Sequence, residues 1–458
     1  MTQKSHIITI EKIVPGGFGI GRRPDGMIAF VRHVLPGEKV SLRTIRKRKN
    51  HLEAELEKVL EPSPYRCEPV CELYGRCGGC DLQHAGIELQ LGLKAEILAE
   101  SLIRGGFRSD LVARIMRPVL PAPANFGYRQ RIRLQVDESG RVGFFRHQSH
   151  TIIPANGCPL AGPEINRGLH DLRTSPVAGK LLRTSHRVEL LFNPETGKVI
   201  VLLHTSRRPR PTDRVLAEAL ADEVAGIEQL LFHVQDHGFF GPQDGFKKPS
   251  LPPFLECILP ASATEAVELV LTWEAGGFCQ INLPQNENLI KAVLALARPG
   301  PRDRILDLYC GMGNFSLPLS LHSATVTGLD GQGSGIRSAK RNVTLNRRRF
   351  GESGNESWSL NCSFAKISVP DGVSQLIRSG RKFDLLVLDP PRQGAAAIVP
   401  DLPALGADRL VYISCDPATL TRDLTALVQA GYQVRHLQPV DMFPQTHHLE
   451  TVTLMEKQ

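Results

Sequence analysis

A chain of 458 residues exceeds what a single hydrophobic core organises, so two or three domains are expected. Its hydrophobic fraction of 41% and charged fraction of 22% are those of an ordinary globular protein. It holds no run of about 18 apolar residues and no apolar leader in MTQKSHIITIEK, which argues against a membrane span and a signal peptide and points to the cytosol. The net charge of +8 is unevenly spread: residues 1–60 carry 12 Lys and Arg against 6 Asp and Glu, a surplus that suits either a polyanionic partner or a solvated positive face.

The first sixty residues read as short strands, HIITIEKIV, MIAFVRHV, LPGEKVSLRTIRKRK and HLEAELEKVL, with PGGFGIGRRPDG as a turn. That spacing predicts a small closed β-barrel of the oligonucleotide-binding kind over residues 1–62. No helix pattern follows Gly16, Gly17, Gly19 and Gly21, so they are read as a hairpin turn and not as a nucleotide loop. Beyond EPSPYR, four of the ten cysteines, Cys67, Cys71, Cys77 and Cys80, fall within fourteen positions, a density that in a reducing compartment more often holds a metal than a disulfide. A helix is predicted next in AGIELQLGLKAEILAESLIRGG, where Leu91, Ala95, Leu98 and Leu102 recur at helical spacing and Gly105-Gly106 stops the run. From Pro118 to Trp273 the pattern is β-rich, with YRQRIRLQV, RVGFFRH, RVELLFN, KVIVLLH and AVELVLTW as strands. Arg129, Arg131 and Arg133 share one face of the first, a row that suits phosphate and sheet-surface salt bridges equally.

From residue 276 strands alternate with helices. The apolar runs RILDLYCG, ATVTGLD, FDLLVLDPP and RLVYISCDP each end in polar residues, the sequence form of an α/β, doubly wound parallel sheet that binds ligands beyond its strands' carboxyl ends. The first run continues through Tyr309, Gly311, Gly313 and Asn314, where two glycines admit a close backbone approach. The second ends at Asp330, placed to accept hydrogen bonds from ribose hydroxyls. This pattern serves dinucleotides and S-adenosylmethionine alike; the missing third glycine favours S-adenosylmethionine. The third run ends in Asp389-Pro390-Pro391-Arg392, a stiffened carboxylate able to meet a base edge or a cofactor amine. The fourth ends in Ser414-Cys415-Asp416-Pro417 before a helix running to about Ala430, a position expected to favour a thiolate. Asp441-Met-Phe-Pro-Gln-Thr-His-His-Leu-Glu450 then precedes a last strand, LETVTLM.

DLYCGMGNF, LDPPR, SCDPATL and DMFPQTHHLETV together resemble the RNA 5-methyluridine methyltransferases of the TrmA and RumA (RlmD) group, in order and from the barrel to the C-terminus. The resemblance implies a Rossmann-like methyltransferase domain over 276–458, an RNA-binding TRAM barrel over 1–62, and a central domain over 63–275 whose helix near 85–105 packs with the C-terminal domain. It implies Cys415 as a nucleophile that adds to carbon 6 of uracil and Glu450 as the base that removes the carbon 5 proton. Gln280, Tyr309, Asn314, Asp330 and Asp389, with Gly311 and Gly313, match the cofactor site for S-adenosylmethionine. Cys71, Cys77, Cys80 and Cys158 match a four-iron four-sulfur (4Fe-4S) site; spacing alone leaves structural zinc open, and Cys67 falls outside the motif. The implied partner is RNA, ribosomal RNA before transfer RNA, for a monomer with no membrane role.

The sequence departs from the family in three places. Asp330 stands where glutamate is usual, residues 331–335 are rich in glycine, and residues 347–364 read as an insertion that leaves the cofactor contact near residues 360–364 unassigned. Two rival readings remain at this level: an RNA-binding assembly factor with an inactive catalytic domain, and a methyltransferase for another base. Neither has a use for Cys415, Glu450 and Asp389 together.

Overall fold

Alternating apolar residues between His6 and Glu61 form six strands of one sheet, His6–Thr9, Lys12–Val14, Phe18–Arg22, Ile28–Arg32, Lys39–Lys47 and His51–Glu61, in a computed structural model that describes residues 6–260, 268–352 and 360–458. Ile8, Ala29, Val31, Val40, Leu42 and Leu52 fill its interior. The first segment pairs with Lys39–Lys47 through His6–Thr9 and with Phe18–Arg22 through Lys12–Val14, so the sheet curls back on itself. Phe18–Arg22 lies inside the stretch read from sequence as a turn. It is a strand because its glycines allow the closure: a Cβ on Gly19 would lie 2.3 Å from Val34 Cγ2, and one on Gly21 would lie 2.2 Å from the Thr9 carbonyl oxygen.

The helix Ile87–Arg104 buries Gln90, Leu93, Lys94, Ile97, Leu98 and Leu102, so its inward face runs beside the predicted stripe and carries a lysine. It packs on the C-terminal helix Pro417–Gln429, with Ser101 Oγ donating to the Pro417 carbonyl at 3.0 Å. Lys94 Nζ reaches Asp441 Oδ1 at 2.5 Å and the Phe443 carbonyl at 3.1 Å, with both charged side chains wholly buried. Burial opposes both charges, lowering the lysine pKa and raising that of the aspartate. A pair of this kind costs little while intact and much when halved. Lys94→Met is therefore expected to destabilise the protein by roughly 3 kcal/mol, and Lys94→Met with Asp441→Leu to recover most of that loss in urea unfolding. Equal midpoints for wild type and the single variant would refute this account.

The central sheet has seven strands in the order Gly238–Phe240, Ile227–Val234, Lys198–Thr205, Ser185–Asn193, Arg131–Val136, Val142–Phe145 and Ile152–Pro154. One face, with Leu134, Leu190, Val201 and Phe232, is covered by the helices Pro163–Thr174, Pro176–Leu182 and Pro211–Glu223. These three helices fall in a region read from sequence as β-rich, and the signal for each was the proline that opens it. The arginine row resolves towards salt bridges: Arg131 and Arg133 donate to the buried Glu189 at 2.6 and 2.9 Å.

In the C-terminal sheet the order is Cys362–Lys366, Thr325–Asp330, Arg304–Leu308, Leu385–Leu388, Arg409–Ser414, Glu450–Lys457 and Tyr432–Val440. The first five are mutually parallel, and Glu450–Lys457 inserts antiparallel beside Arg409–Ser414. All four predicted runs are strands. The fifth, Cys362–Lys366, was missed because it lies on the sheet edge, mostly unburied, and shows no apolar run. The middle of the predicted insertion, 353–359, lies outside the described residues. Among the described residues no helix is long and apolar enough to cross a membrane.

Candidate active site

Strand order reverses beside Arg304–Leu308, which lies between Thr325–Asp330 and Leu385–Leu388, the switch point at which sheets of this kind form a ligand crevice beyond the carboxyl ends of their strands. The chain leaves the first strand with Tyr309 at φ 64°, a left-handed conformation that costs a tyrosine energy and marks a constrained corner. Gly311 (φ 53°) and Gly313 (φ 87°) carry the turn onward. Asp330 accepts the Gly311 amide at 2.9 Å and the Gln332 amide at 2.6 Å, so two strand ends are tied and the carboxylate is held in place. Asn314 exchanges reciprocal amide bonds with Asn286 of the helix Leu283–Ala297, at 2.8 and 2.9 Å. Gln280 sits in the loop before that helix, nearly buried, and among the described residues its side chain makes no hydrogen bond. Asp307, which sequence reasoning left without a role, is fully buried against Ser316 Oγ, and burial pushes its carboxyl up to about 7.

The second cluster forms at the neighbouring strand ends. Ser414 pairs with Thr451 across the antiparallel ladder, so Cys415 and Glu450 are the next residues out on adjacent strands. Burial pushes the Glu450 carboxyl up to about 7 against the opposing field of Arg392. Asp389 at the end of Leu385–Leu388 is also raised, first by burial and then by repulsion from Glu450 and Asp330. The Cys415 thiol is pushed up to about 12, by burial first and then by Glu450, with Arg392 pulling the other way. This corrects the expectation of a thiolate favoured by the helix end. Asp416 caps that helix, its Oδ1 accepting the Ala418 and Thr419 amides at 3.0 and 2.8 Å, so the amides expected to favour a thiolate at Cys415 face a carboxylate instead. Arg392, quoted in LDPPR but given no role, is the cation that acts on both Cys415 and Glu450. Its Nη2 lies 3.2 Å from His448 Nε2. An arginine three residues beyond a strand-end carboxylate was the available signal.

The loop carrying Asp441 to Leu449 is held from outside the C-terminal sheet. Gln445, at φ 71°, accepts the Asp81 and Leu82 amides at its carbonyl, each at 3.0 Å, and exchanges two bonds with the Gln90 side chain. Asp81 Oδ2 meets His447 Nδ1 at 2.6 Å, and its Oδ1 pairs with Arg32 of the N-terminal barrel. Burial would raise the Asp81 pKa, but His447 and Arg32 outweigh it and hold the carboxyl below its usual value. The barrel is thus joined to the loop that precedes Glu450 through a single carboxylate.

Cys71, Cys77, Cys80 and Cys158 line one cavity of about 380 Å³ together with Arg129, Phe144 and Phe278. Among the described residues, however, no group of three or more His, Cys, Asp or Glu is arranged to hold a metal ion. Burial raises the thiols of Cys71, Cys77 and Cys80, the last to about 12, which favours neutral sulfhydryls packed as small hydrophobes. The expected 4Fe-4S cluster, and with it metal binding by these four residues, is therefore corrected: they form a cavity wall. Cys67 is exposed, its sulfur 3.4 Å from the Gln83 carbonyl.

Residues 264–458 match the family described as tRNA (Uracil-5-)-methyltransferase. The whole chain is 31% identical to the 23S rRNA (uracil(1939)-C(5))-methyltransferase RlmD of Vibrio parahaemolyticus, covering 100% of this chain and 97% of the relative. It is 34% identical to the protein of that name from Pseudomonas entomophila, over 99% and 94%. Among solved structures, the Pyrococcus abyssi tRNA (uracil-54, C5)-methyltransferase bound to S-adenosyl-L-homocysteine shares the fold, with a TM-score of 0.70 at 24% identity over 98% of this chain and 99% of that one.

Proposed function

The chain belongs to the RlmD family of 23S rRNA (uracil-C(5))-methyltransferases, and from that premise we propose how its residues move a methyl group from S-adenosylmethionine to carbon 5 of a uridine in RNA. Ribosomal RNA is the substrate class its relatives' names carry, with transfer RNA the second. The division of labour follows the segments 1–62, 63–275 and 276–458: RNA capture by the TRAM-like barrel, positioning by the central domain, chemistry by the last.

The crevice suits a nucleoside cofactor. Asp330 is fixed at a strand end, and the space where a Cβ of Gly311 would sit is open. Asp330 faces the ribose; Tyr309, Asn314 and Gln280 line the same site; Asp389 holds a cofactor amine or the uracil edge. S-adenosylmethionine bound there supplies an electrophilic methyl group on a sulfonium. Cys415 gives up its proton to solvent and forms a bond to carbon 6, which passes the electron pair of the 5,6 double bond to carbon 5 as an enolate. Arg392 stabilises the sulfur's charge as the proton leaves. After carbon 5 has taken the methyl group, Glu450 removes the proton still on that carbon, the 5,6 double bond re-forms and the Cys415 sulfur departs with its electrons. The observation that supports this reading is the pairing of Ser414 with Thr451, which makes Cys415 and Glu450 neighbours at the ends of adjacent strands.

The test is incubation of the full chain with ribosomal and transfer RNA transcripts and methyl-labelled S-adenosylmethionine, followed by nuclease digestion and mass spectrometry. Label in 5-methyluridine is expected; label in another nucleoside, or in none, overturns the reading. A pair of glycine variants examines the cofactor half. Gly311→Ala places its methyl in open space and is expected to weaken S-adenosylmethionine at least about tenfold in calorimetry with a small change in Tm, the left-handed φ costing ~1 kcal/mol. Gly313→Ala places its methyl 2.4 Å from Leu317 Cδ1 and is expected to lower the Tm as well. Unchanged affinity in Gly311→Ala would remove that loop from the cofactor site.

A further inference from the structure

The face of the central sheet opposite its helices carries a row of side chains that the chemistry above does not use. Register places Gln135, Arg187, His204, His233 and Phe239 opposite one another on five successive strands. The imidazoles of His204 and His233 are 5.0 Å apart by centroid, and His233 lies 4.7 Å from the Phe239 ring. A register shift between Ser185 and Arg187 brings the exposed His186 to within 6.3 Å of His204. Burial lowers the pKa of His233 and of His186, so these rings present neutral π-faces at neutral pH.

Charge beside the row is out of balance. Glu189 alone serves Arg131, Arg133 and His204, and no carboxylate among the described residues pairs with Arg187, whose Nε is buried without a partner. The Arg133 side chain is 52% exposed. Continuity with the crevice comes through Phe239, whose ring lies 3.3 Å from where a Cβ of Gly276 would sit; the chain runs on from there to Gln280. A surplus of guanidinium beside a cluster of flat rings, at the margin of a sheet face whose other side chains Leu191, Leu202 and Leu231 are buried, matches how sheets hold single-stranded RNA: bases on rings, phosphates on arginine.

We propose that this row binds a single-stranded segment of the substrate RNA, with bases stacked on His233 and Phe239, His204 backing His233 from within, and phosphates held by Arg187 and Arg133. The proposal rests on RNA being the substrate, and its test separates the two. Binding of a fluorescein-labelled single-stranded oligoribonucleotide to the full chain is measured beside methyl transfer. In His233→Ala the Kd for the oligonucleotide and the KM for RNA are expected to rise about tenfold, with kcat and the KM for S-adenosylmethionine unchanged. His233→Phe, which keeps a stacking plane and loses the imidazole's hydrogen bonds, is expected to restore binding. Arg187→Ala is expected to lower the slope of log Kd against log salt by about 1. Independently of any variant's folding, photocrosslinks from 4-thiouridine in the same oligonucleotide are expected within 185–193, 198–205 and 227–240. Crosslinks confined to other segments, or wild-type Kd and salt slope in both alanine variants, would overturn the proposal. A protein that crosslinks through these strands yet transfers no methyl group would sink the enzymatic reading and leave this surface standing.

Discussion

Cys415→Ser is expected to lower methyl transfer by about 10⁴-fold or more, the order of loss when a covalent nucleophile is removed, while RNA binding and the Tm stay near wild type. Carbon 5 of uracil is too poor a nucleophile to displace a methyl group until an electron pair is delivered to the ring, and Cys415 is the nucleophilic side chain placed beside Glu450 at the crevice. A serine hydroxyl fills nearly the same volume but is a far weaker nucleophile. Because burial and Glu450 hold the Cys415 thiol at about 12, the attacking form is scarce at neutral pH, and adduct formation in a single turnover is expected to rise about tenfold per pH unit from 7 to 9. RNA carrying 5-fluorouridine reads this step directly. The fluorine cannot leave as a proton, so wild type is expected to remain attached to the RNA through denaturing electrophoresis and the serine variant to run free. Methylation at an undiminished rate by Cys415→Ser would end the covalent route whatever the fold.

What sequence could show of this site followed from how locally each feature is encoded. The strand ends carrying Asp330, Asp389 and Cys415 were legible because each closes an apolar run long enough to be a buried strand. The state of the sulfur was not, because it depends on Glu450, Asp389 and Arg392, which lie on other elements, and on Asp416 taking the helix amides for itself. Distance along the chain hid the rest: Asp81 meets His447 across 366 positions, and Lys94 meets Asp441 across 347. Cys71, Cys77, Cys80 and Cys158 line one cavity, but their spacing carries no information on how the thiols are arranged there, and among the described residues no group of three or more is arranged to hold a metal ion. In the arginine row, Glu189 sits on a neighbouring strand, so only the register could show that Arg131 and Arg133 share a carboxylate partner.

Glu450→Gln separates the two halves of the reaction. With no base to remove the carbon 5 proton, RNA is expected to be methylated once and then held, so a covalent, methylated RNA–protein complex accumulates while turnover falls about 10³-fold. The pH dependence has a definite sign. Burial raises the Glu450 carboxyl from 4.5 to about 7, and only the ionised form accepts a proton, so product release in wild type is expected to climb about tenfold per pH unit below 7 and to level off above it. In the glutamine variant that inflection should vanish. Stability moves the opposite way. Between 4.5 and 7 the folded protein keeps a proton that the unfolded chain releases, so stability falls as pH rises through that window, by up to about 3 kcal/mol. Glutamine removes the buried charge, and Glu450→Gln is expected to melt higher than wild type at pH 8 while turning over far more slowly, the pairing expected of a residue kept for chemistry at the expense of the fold. A variant that releases product at the wild-type rate, with its pH inflection intact, would assign the proton to another group and leave Glu450 a buried acid without a task.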